Sequence, residues 1–230
     1  MYRFLPVAIV LSALVTSSVS AAPIFFGPTP YLSAGDIPAG FYAGGVPTAL
    51  ETFEDGTLDF GITASPGSLV IPPSCCPAEI DSVDGDDGVI DGSGVLGHSW
   101  FFFAGTPGIT FTFSGPLPTA AGIVWTDGAG PTTFEAFGPG MVSLGTIGPV
   151  MIADASIFGT TAEDHFFGVQ DLGGILAIKL SNVAGGIEVD HVQFGAAALV
   201  PVPAAAWLFG SALGLLGWVT RVKGPGSAVA

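Results

Sequence analysis

The chain has 230 residues and a formal net charge of −15, with 19 acidic residues and only four Lys or Arg. Between residues 22 and 200, Lys179 is the single base facing all 19 acids. Such a surface cannot neutralise phosphates, which argues against DNA and RNA as partners and favours divalent cations. The 35 glycines and 19 prolines predict short strands and tight turns rather than long helices.

The N-terminal residues have the layout of a secretory signal peptide. Arg3 precedes an apolar run at 4–15, and small residues follow it as far as Ala21. We predict cleavage between Ala21 and Ala22, because a cut one residue later would leave Pro23 directly after it. A membrane helix is the alternative, but the run is shorter than the roughly 20 residues that spanning requires. Residues 1–21 are therefore expected to direct export.

Alternating apolar and polar residues recur through the middle of the chain and predict strands with one buried face. Turn-forming clusters such as 127–131 separate them, and residues 22–45 are expected to form an irregular lead-in. Without helical spacing for crossovers, the sequence predicts an all-β domain at 22–198, a single antiparallel β-sandwich of jelly-roll type. The predicted strands are 57–63, 68–71, 99–104, 108–114, 121–126, 132–137, 141–147, 165–170, 175–180 and 187–194.

The densest polar cluster is the glycine-rich segment 81–94, which carries five aspartates. Ca²⁺ takes six to eight oxygen ligands in flexible geometry, and such a loop offers alternating carboxylates and carbonyls. The sequence predicts calcium as the cofactor here, with Asp84, Asp86 and Asp91 as the first ligands. An ordinary solvated acidic turn is the alternative, since Asp and Gly favour turns without any metal.

No catalytic residue is predicted, because the chain has neither a nucleophile elbow nor a phosphate-binding loop. Cys75 and Cys76 are adjacent, and a disulfide between neighbours closes a strained ring. The three histidines are too dispersed for a zinc pattern and are expected to be hydrogen-bonded strand or loop residues. Trp100, Trp125 and the Phe pairs 101–102 and 166–167 are candidates for a sugar-stacking face, but the sequence favours core positions for the Phe pairs.

The C-terminal residues 199–230 combine a proline motif, an apolar stretch and a basic end. Residues 204–220 are uncharged, and Arg221 and Lys223 follow them. Seventeen helical residues would span about 25 Å, slightly less than a bilayer core, and the bases would remain on the cytoplasmic side. The sequence therefore predicts a transmembrane helix at 204–220.

The segment 200–211, VPVPAAAWLFGS, resembles the PEP-CTERM sorting signal in its VPxPAAxWLFGS form. The motif residues are Val200, Pro201, Val202 and Pro203, with Val202 at the position of the usual acidic residue. The resemblance implies that an exosortase, a membrane-embedded protease, cuts near this motif and passes the protein to the cell surface or exopolysaccharide. A plain single-pass anchor is the alternative. The core segments 121–128, 161–169 and 185–191 resemble exported proteins that bear the same tail.

A second, shorter resemblance is to carbohydrate-binding jelly rolls. It implies a structural calcium held between Glu54, near the first strands, and Asp190, on the last strand. A backbone-bonded Asp190 at a strand end is the alternative.

Three functions follow as expectations. The first is a non-enzymatic, structural or adhesive protein of the cell surface or extracellular matrix, sorted by an exosortase-type system. The second is a calcium-supported carbohydrate-binding module. The third is an envelope polysaccharide hydrolase, which would need two carboxylates that converge from different strands.

Overall fold

The computed structural model describes residues 21–71, 81–83, 97–153, 163–198 and 210–217. The chain divides into two compact units, Met1–Ala197 and Ala198–Ala230. Ten strands occur in the described part of the first unit: β1 Ile24–Pro30, β2 Ala49–Glu51, β3 Ile62–Ser65, β4 Ser68–Val70, β5 Ser99–Phe102, β6 Ile109–Phe113, β7 Ala120–Gly138, β8 Val142–Val150, β9 His165–Gln170 and β10 Ala177–Gly195. Short 3₁₀ turns lie at Ala34–Asp36, Ala43–Gly45 and Pro139–Met141.

The described part of the second unit forms a helix at 210–217. This helix lies inside the predicted 204–220 span, whose two ends are outside the described residues. Within the part of the chain that is described, no helix has the length and apolar character to cross a bilayer.

The predicted antiparallel all-β fold is confirmed, and all ten strands belong to one sheet. The long strands β7 and β10 pair with each other along almost their whole length. Their other neighbours change along the way: β7 pairs first with β9 and then with β8, whereas β10 pairs first with β6 and then with β5 and β2. The remaining strands extend this arrangement, with β1 on β9, β4 on β5 and β3 on β6.

The predicted turn at 127–131 is wrong, because β7 continues through it, and β10 likewise joins the two strands predicted at 175–180 and 187–194. Both strands carry glycines in this region, and the pairing of β7 with β10 shifts register around them. A Cβ on Gly128 would overlap the side-chain amide of Asn182, so the close approach of the strands requires glycine there.

The expectation of an irregular lead-in at 22–45 is also wrong for its first part, which forms β1. This strand pairs antiparallel with β9, from Ile24 opposite Gln170 to Pro30 opposite His165. Its register shifts between Phe26 and Thr29. Pairing with a distant strand supplies the backbone hydrogen bonds, and the Gly and Pro residues are tolerated because β1 has only one neighbour.

The main hydrophobic core joins the two halves of the long strands. Phe134, in the second half of β7, stacks on Phe167 of β9 with ring centroids 5.8 Å apart. Trp100 of β5 meets Phe111 of β6 edge-on at 6.2 Å. The predicted core positions of Phe166 and Phe167 are confirmed, whereas Phe101 and Phe102 are only partly buried. Trp100 and Trp125, the candidates for sugar stacking, are buried as well.

A second, smaller hydrophobic cluster contains Tyr31, Phe41, Val124 and Phe166. Val124 and Phe166 are directly paired across β7 and β9, so their side chains share one face of the sheet. Val83, from the short described segment 81–83, joins this cluster. Residues from outside the strands therefore cover this face of the sheet.

Candidate functional site

The sheet face that carries the smaller cluster also carries buried carboxylates. In β10, Ile187 and Val189 point into the main core, and the alternation of the strand sends Glu188 and Asp190 to the other face. Asp190 is paired with Val124 of β7, and Val124 with Phe166 of β9. Both acids are almost fully buried, at 3% and 0% exposed.

The segment Asp81–Val83 covers these two acids. The Ser82 hydroxyl and the Val83 backbone N–H both donate to Oδ2 of Asp190, at 3.0 and 2.8 Å. The backbone N–H of Asp81 donates to Oε1 of Glu188 at 3.2 Å, and the Ser99 hydroxyl donates to the same oxygen. These bonds dock a remote segment on the middle of β10 and bury the Asp81 side chain with it.

Asp164 approaches the same place from the residue before β9. Its backbone carbonyl accepts a 2.9 Å hydrogen bond from the N–H of Tyr31, which fixes the chain at this point. Asp164 is 1% exposed, and neither of its carboxylate oxygens accepts a hydrogen bond from the described residues. The adjacent Glu163 is buried too. We call Asp81, Glu163, Asp164, Glu188 and Asp190 the buried acid cluster.

Burial and mutual repulsion make these groups hard to ionise. Burial, followed by the charges of Asp81, Asp190 and Glu163, raises the pKa of Asp164 to about 10. Burial also raises the pKa of Glu188 to about 8, although its hydrogen bonds from Ser99 and the Asp81 N–H act in the opposite direction. Repulsion from Asp127 and Asp190 adds to the rise for Glu188.

In the described part of the chain, no Lys or Arg is among the charges that act on Asp164. Lys179 is the single base of residues 22–200, and it lies in the other half of β10, opposite Glu135 of β7 and Thr110 of β6. A buried carboxylate without a basic partner must take up a proton or an external cation.

The sequence-predicted ligands Glu54 and Asp190 have separate partners in the structure. Oε1 of Glu54 accepts the backbone N–H of His98 at 2.6 Å, and its Oε2 lies 3.7 Å from Nδ1 of the same residue. The oxygens of Asp190 accept hydrogen bonds from Ser82, Val83 and the N–H of His191. Asp190 therefore accepts backbone hydrogen bonds, as the alternative interpretation expected, but it lies within β10 rather than at a strand end.

The other predicted site residues fall mostly on positions that the structure does not describe. Asp84, Asp86 and Asp91 lie outside the described residues, as do the sorting motif and Cys75 and Cys76. Ala21 and Ala22, at the predicted cleavage point, are exposed. Among the described residues, no three His, Cys, Asp or Glu side chains are gathered closely enough to hold a metal ion.

Each histidine ring has a hydrogen-bond partner. Nδ1 of His98 and of His165 lie 3.0 and 2.5 Å from the backbone carbonyls of Phe53 and Glu163, so both rings donate. Nδ1 of His191 lies 3.3 Å from the Tyr31 hydroxyl. These contacts fit the expectation of hydrogen-bonded strand and loop histidines.

The sequence interpretation missed Asp81, Glu163, Asp164 and Glu188 as site residues. A signal for Glu188 was present, because the alternation Ile187-Glu188-Val189-Asp190 places two acids on one face. Asp81 belonged to the predicted acidic loop, but its burial has no sequence signature.

Comparison with known proteins adds no family to this picture. A scan against protein-family models, a search of the curated proteins and a search of the solved structures find no match for the chain.

Proposed function

We propose that this chain is an exported, non-enzymatic protein of the bacterial cell surface or extracellular matrix, with a structural or adhesive role. In this proposal residues 1–21 direct export, and residues 199–230 are a sorting tail for an exosortase-type protease. The observation that carries the proposal is the 200–211 segment, VPVPAAAWLFGS, followed by an apolar stretch and two bases. The first compact unit ends at Ala197, just before this motif, which supports a folded domain followed by a removable tail.

We further propose that the sheet is folded over on itself as a β-sandwich of jelly-roll type. The aromatic contacts between the halves of the long strands support this arrangement, including the stack of Phe134 on Phe167. A closed, acidic sheet domain suits a stable component of an exopolysaccharide layer, because its charge keeps copies apart and soluble.

The described carboxylates that lie together are buried, which supports a role without hydrolysis. A glycoside hydrolase needs two carboxyl groups on either side of a bound sugar. Glu188 and Asp190 are covered by Asp81–Val83 and already accept hydrogen bonds. A polysaccharide would have no access to them without displacing that segment.

A calcium-supported carbohydrate-binding module is the second candidate. Trp100 and Trp125 are buried, so sugar stacking would depend on exposed rings such as Phe60 and Phe103, which are 104% and 77% exposed. Glycan-array binding with and without chelator tests this candidate. Binding to none of the glycans would contradict the carbohydrate-binding candidate.

Intact-mass analysis of the protein from its native envelope tests the main proposal. We expect a product that begins at Ala22 and ends near 200–203, recovered from the cell surface or the matrix. A variant with Pro201→Ala and Pro203→Ala should remain membrane-bound with its tail uncut, while its N-terminus is still processed. Untrimmed, full-length protein among cytosolic proteins would contradict export, and tail removal that ignores the two prolines would contradict sorting through this motif.

A further inference from the structure

Asp164 stands out among the buried acids because no described residue donates a hydrogen bond to its carboxylate. Both of its oxygens lack a partner among the described residues, although the side chain is buried on the same sheet face as Asp190. Asp190, by comparison, accepts three hydrogen bonds. Buried polar atoms in folded proteins are almost always satisfied, so an unsatisfied carboxylate in the interior indicates a missing partner.

The surroundings of Asp164 restrict what that partner can be. The charges that act on it most strongly are those of Asp81, Asp190 and Glu163, all of them acidic. Lys179, the single Lys or Arg of residues 22–200, lies in the other half of β10. Protonation would remove the charge, but the carbonyl oxygen of the protonated acid would still accept no hydrogen bond from the described residues. A cation from outside the chain would satisfy both the charge and the oxygens.

We propose that the carboxylates of Asp164 and Asp81 bind a divalent cation, calcium, between the start of β9 and the segment that covers β10. Asp81 is the acid whose charge acts most strongly on Asp164, and the hydrogen bonds from Asp81–Val83 to Glu188 and Asp190 hold it in place. The site joins a segment far from β9 in sequence to the end of that strand. Calcium would therefore hold the segment Asp81–Val83 against the sheet.

The chemistry of the donors selects calcium over other metals. The cluster offers only hard oxygen donors, which Ca²⁺ and Mg²⁺ prefer and which soft transition metals do not. No three side chains among the described residues converge on one point, so backbone carbonyls or waters must complete the shell around two carboxylates. Ca²⁺ accepts such mixed, irregular shells, whereas Mg²⁺ demands near-ideal octahedral geometry.

Calcium titration of the full chain tests this site. The protein, purified in mild detergent and stripped with chelator, is titrated with calcium chloride by calorimetry, in parallel with Asp164→Asn and Asp171→Asn. Asp171 is a matched control, because it is a buried acid at the opposite end of β9. We expect calcium binding by the wild type and by Asp171→Asn, and a loss of about tenfold or more in affinity for Asp164→Asn.

Thermal melting separates a calcium ligand from a merely structural acid. In chelator, Asp164→Asn should melt close to the wild-type temperature, because asparagine keeps the shape of the side chain and the substitution breaks no hydrogen bond with the described residues. In calcium, the wild type and Asp171→Asn should gain melting temperature and Asp164→Asn should not.

Three results would overturn the site. They are a wild type that binds no calcium, an Asp164→Asn variant that binds calcium as the wild type does, and an Asp164→Asn variant that is less stable than the wild type in chelator. The inference goes beyond the proposed function and does not depend on export or tail processing, so either can fail while the other stands.

Discussion

At the scale of single residues, Asn182 connects β7 and β10 at the point where the pairing of these two long strands shifts register. Its Oδ1 accepts hydrogen bonds from Nε1 of Trp125 at 3.2 Å and from the Thr132 hydroxyl at 3.1 Å. Its Nδ2 donates to the carbonyl of Gly186 at 3.0 Å. The side chain is buried and lies where the pairing of β7 with β10 shifts register. One side-chain amide thus satisfies two buried side-chain donors and one backbone carbonyl at the register shift.

We expect Asn182→Ala to destabilise the domain by about 2–4 kcal/mol, because it leaves buried donors on Trp125 and Thr132 unsatisfied. Chemical denaturation monitored by tryptophan fluorescence measures the change. Thr132→Val is the matched control, because it removes one donor and should cost only about 1 kcal/mol. Equal effects of the two substitutions would show that Asn182 does not connect the strands in this way.

Glu51 provides a residue-scale test of pH dependence. Burial raises its pKa above the ordinary value of 4.5, although the N–H groups of Phe53 and Asp59 donate to its carboxylate and oppose the rise. An acid with a raised folded pKa contributes stability that is present below its unfolded pKa and is lost as pH rises through the folded pKa. The wild type therefore loses stability relative to a non-titrating variant as pH rises.

We expect Glu51→Gln to be less stable than the wild type at about pH 4, because an amide cannot accept both backbone donors. The difference should shrink towards about pH 7, as the wild type loses the contribution of the protonated acid. Melting temperatures of the two proteins at both pH values measure it, and titrations common to both cancel. A difference that grows with pH would contradict the raised pKa of Glu51.

At the scale of elements, a pair of glycines allows close packing beside β9. Gly122 of β7 and Gly168 of β9 are directly paired. A Cβ on Gly168 would lie 2.6 Å from the ring of Phe41, and a Cβ on Gly122 would lie 2.5 Å from the ring of Phe166. These two rings meet edge-on at 5.2 Å, so the glycine pair provides the space that they fill.

We expect Gly168→Ala to destabilise the domain by about 1–3 kcal/mol, because the added methyl group overpacks a buried aromatic cluster. Gly35→Ala is the control, because its Cβ would meet only the Ser33 hydroxyl at 3.5 Å, an ordinary contact. Urea denaturation of both variants measures the costs. A neutral Gly168→Ala would mean that Phe41 can move aside freely.

The sequence correctly predicted those strands that their local residue pattern alone identifies. Residues 165–170 were predicted and form β9 at the same bounds, since Asp164 and Asp171 flank a short, mostly apolar run. The turn expected at 127–131 failed because Gly, Pro and Asp favour turns locally, whereas the long partner β10 holds them extended. The prediction of an irregular lead-in was wrong for a similar reason, since β1 is a strand only because it pairs with β9.

The candidate site could be predicted only in part. Asp190 was identified and lies in the buried acid cluster, but the partners that surround it come from remote parts of the chain. The charges of Asp81 and Asp164 interact because β9, β7 and β10 are neighbours and because Asp81–Val83 docks on β10. Such long-range proximity has no local pattern, and a buried acid looks like an exposed one in sequence.

At the scale of the whole molecule, charge imbalance is the dominant feature. Residues 22–200 carry 19 acids and one base, a formal charge of 1 − 19 = −18. Like charges repel within a compact domain, so the folded state is strained electrostatically relative to an expanded chain. Salt reduces this repulsion, because the Debye length falls from about 30 Å at 0.01 M to about 10 Å at 0.1 M ionic strength.

We therefore expect the melting temperature to rise over that salt range in the presence of chelator. Sodium chloride and choline chloride should act alike, because bulky choline screens surface charge but does not enter a carboxylate site. Differential scanning fluorimetry of the full chain measures both. A melting temperature that does not respond to either salt would contradict net repulsion, and a response to sodium alone would indicate ion binding instead of screening.

The position of β10 in the chain also has a mechanical consequence. Among the described residues β10 is the last strand, and it pairs with four other strands. The second compact unit begins at Ala198, three residues after the end of β10. A pull exerted through the C-terminal residues would therefore enter the domain along its most connected strand. Hydrogen bonds perpendicular to that pull would have to shear together rather than open one at a time, which is the geometry that resists tension best.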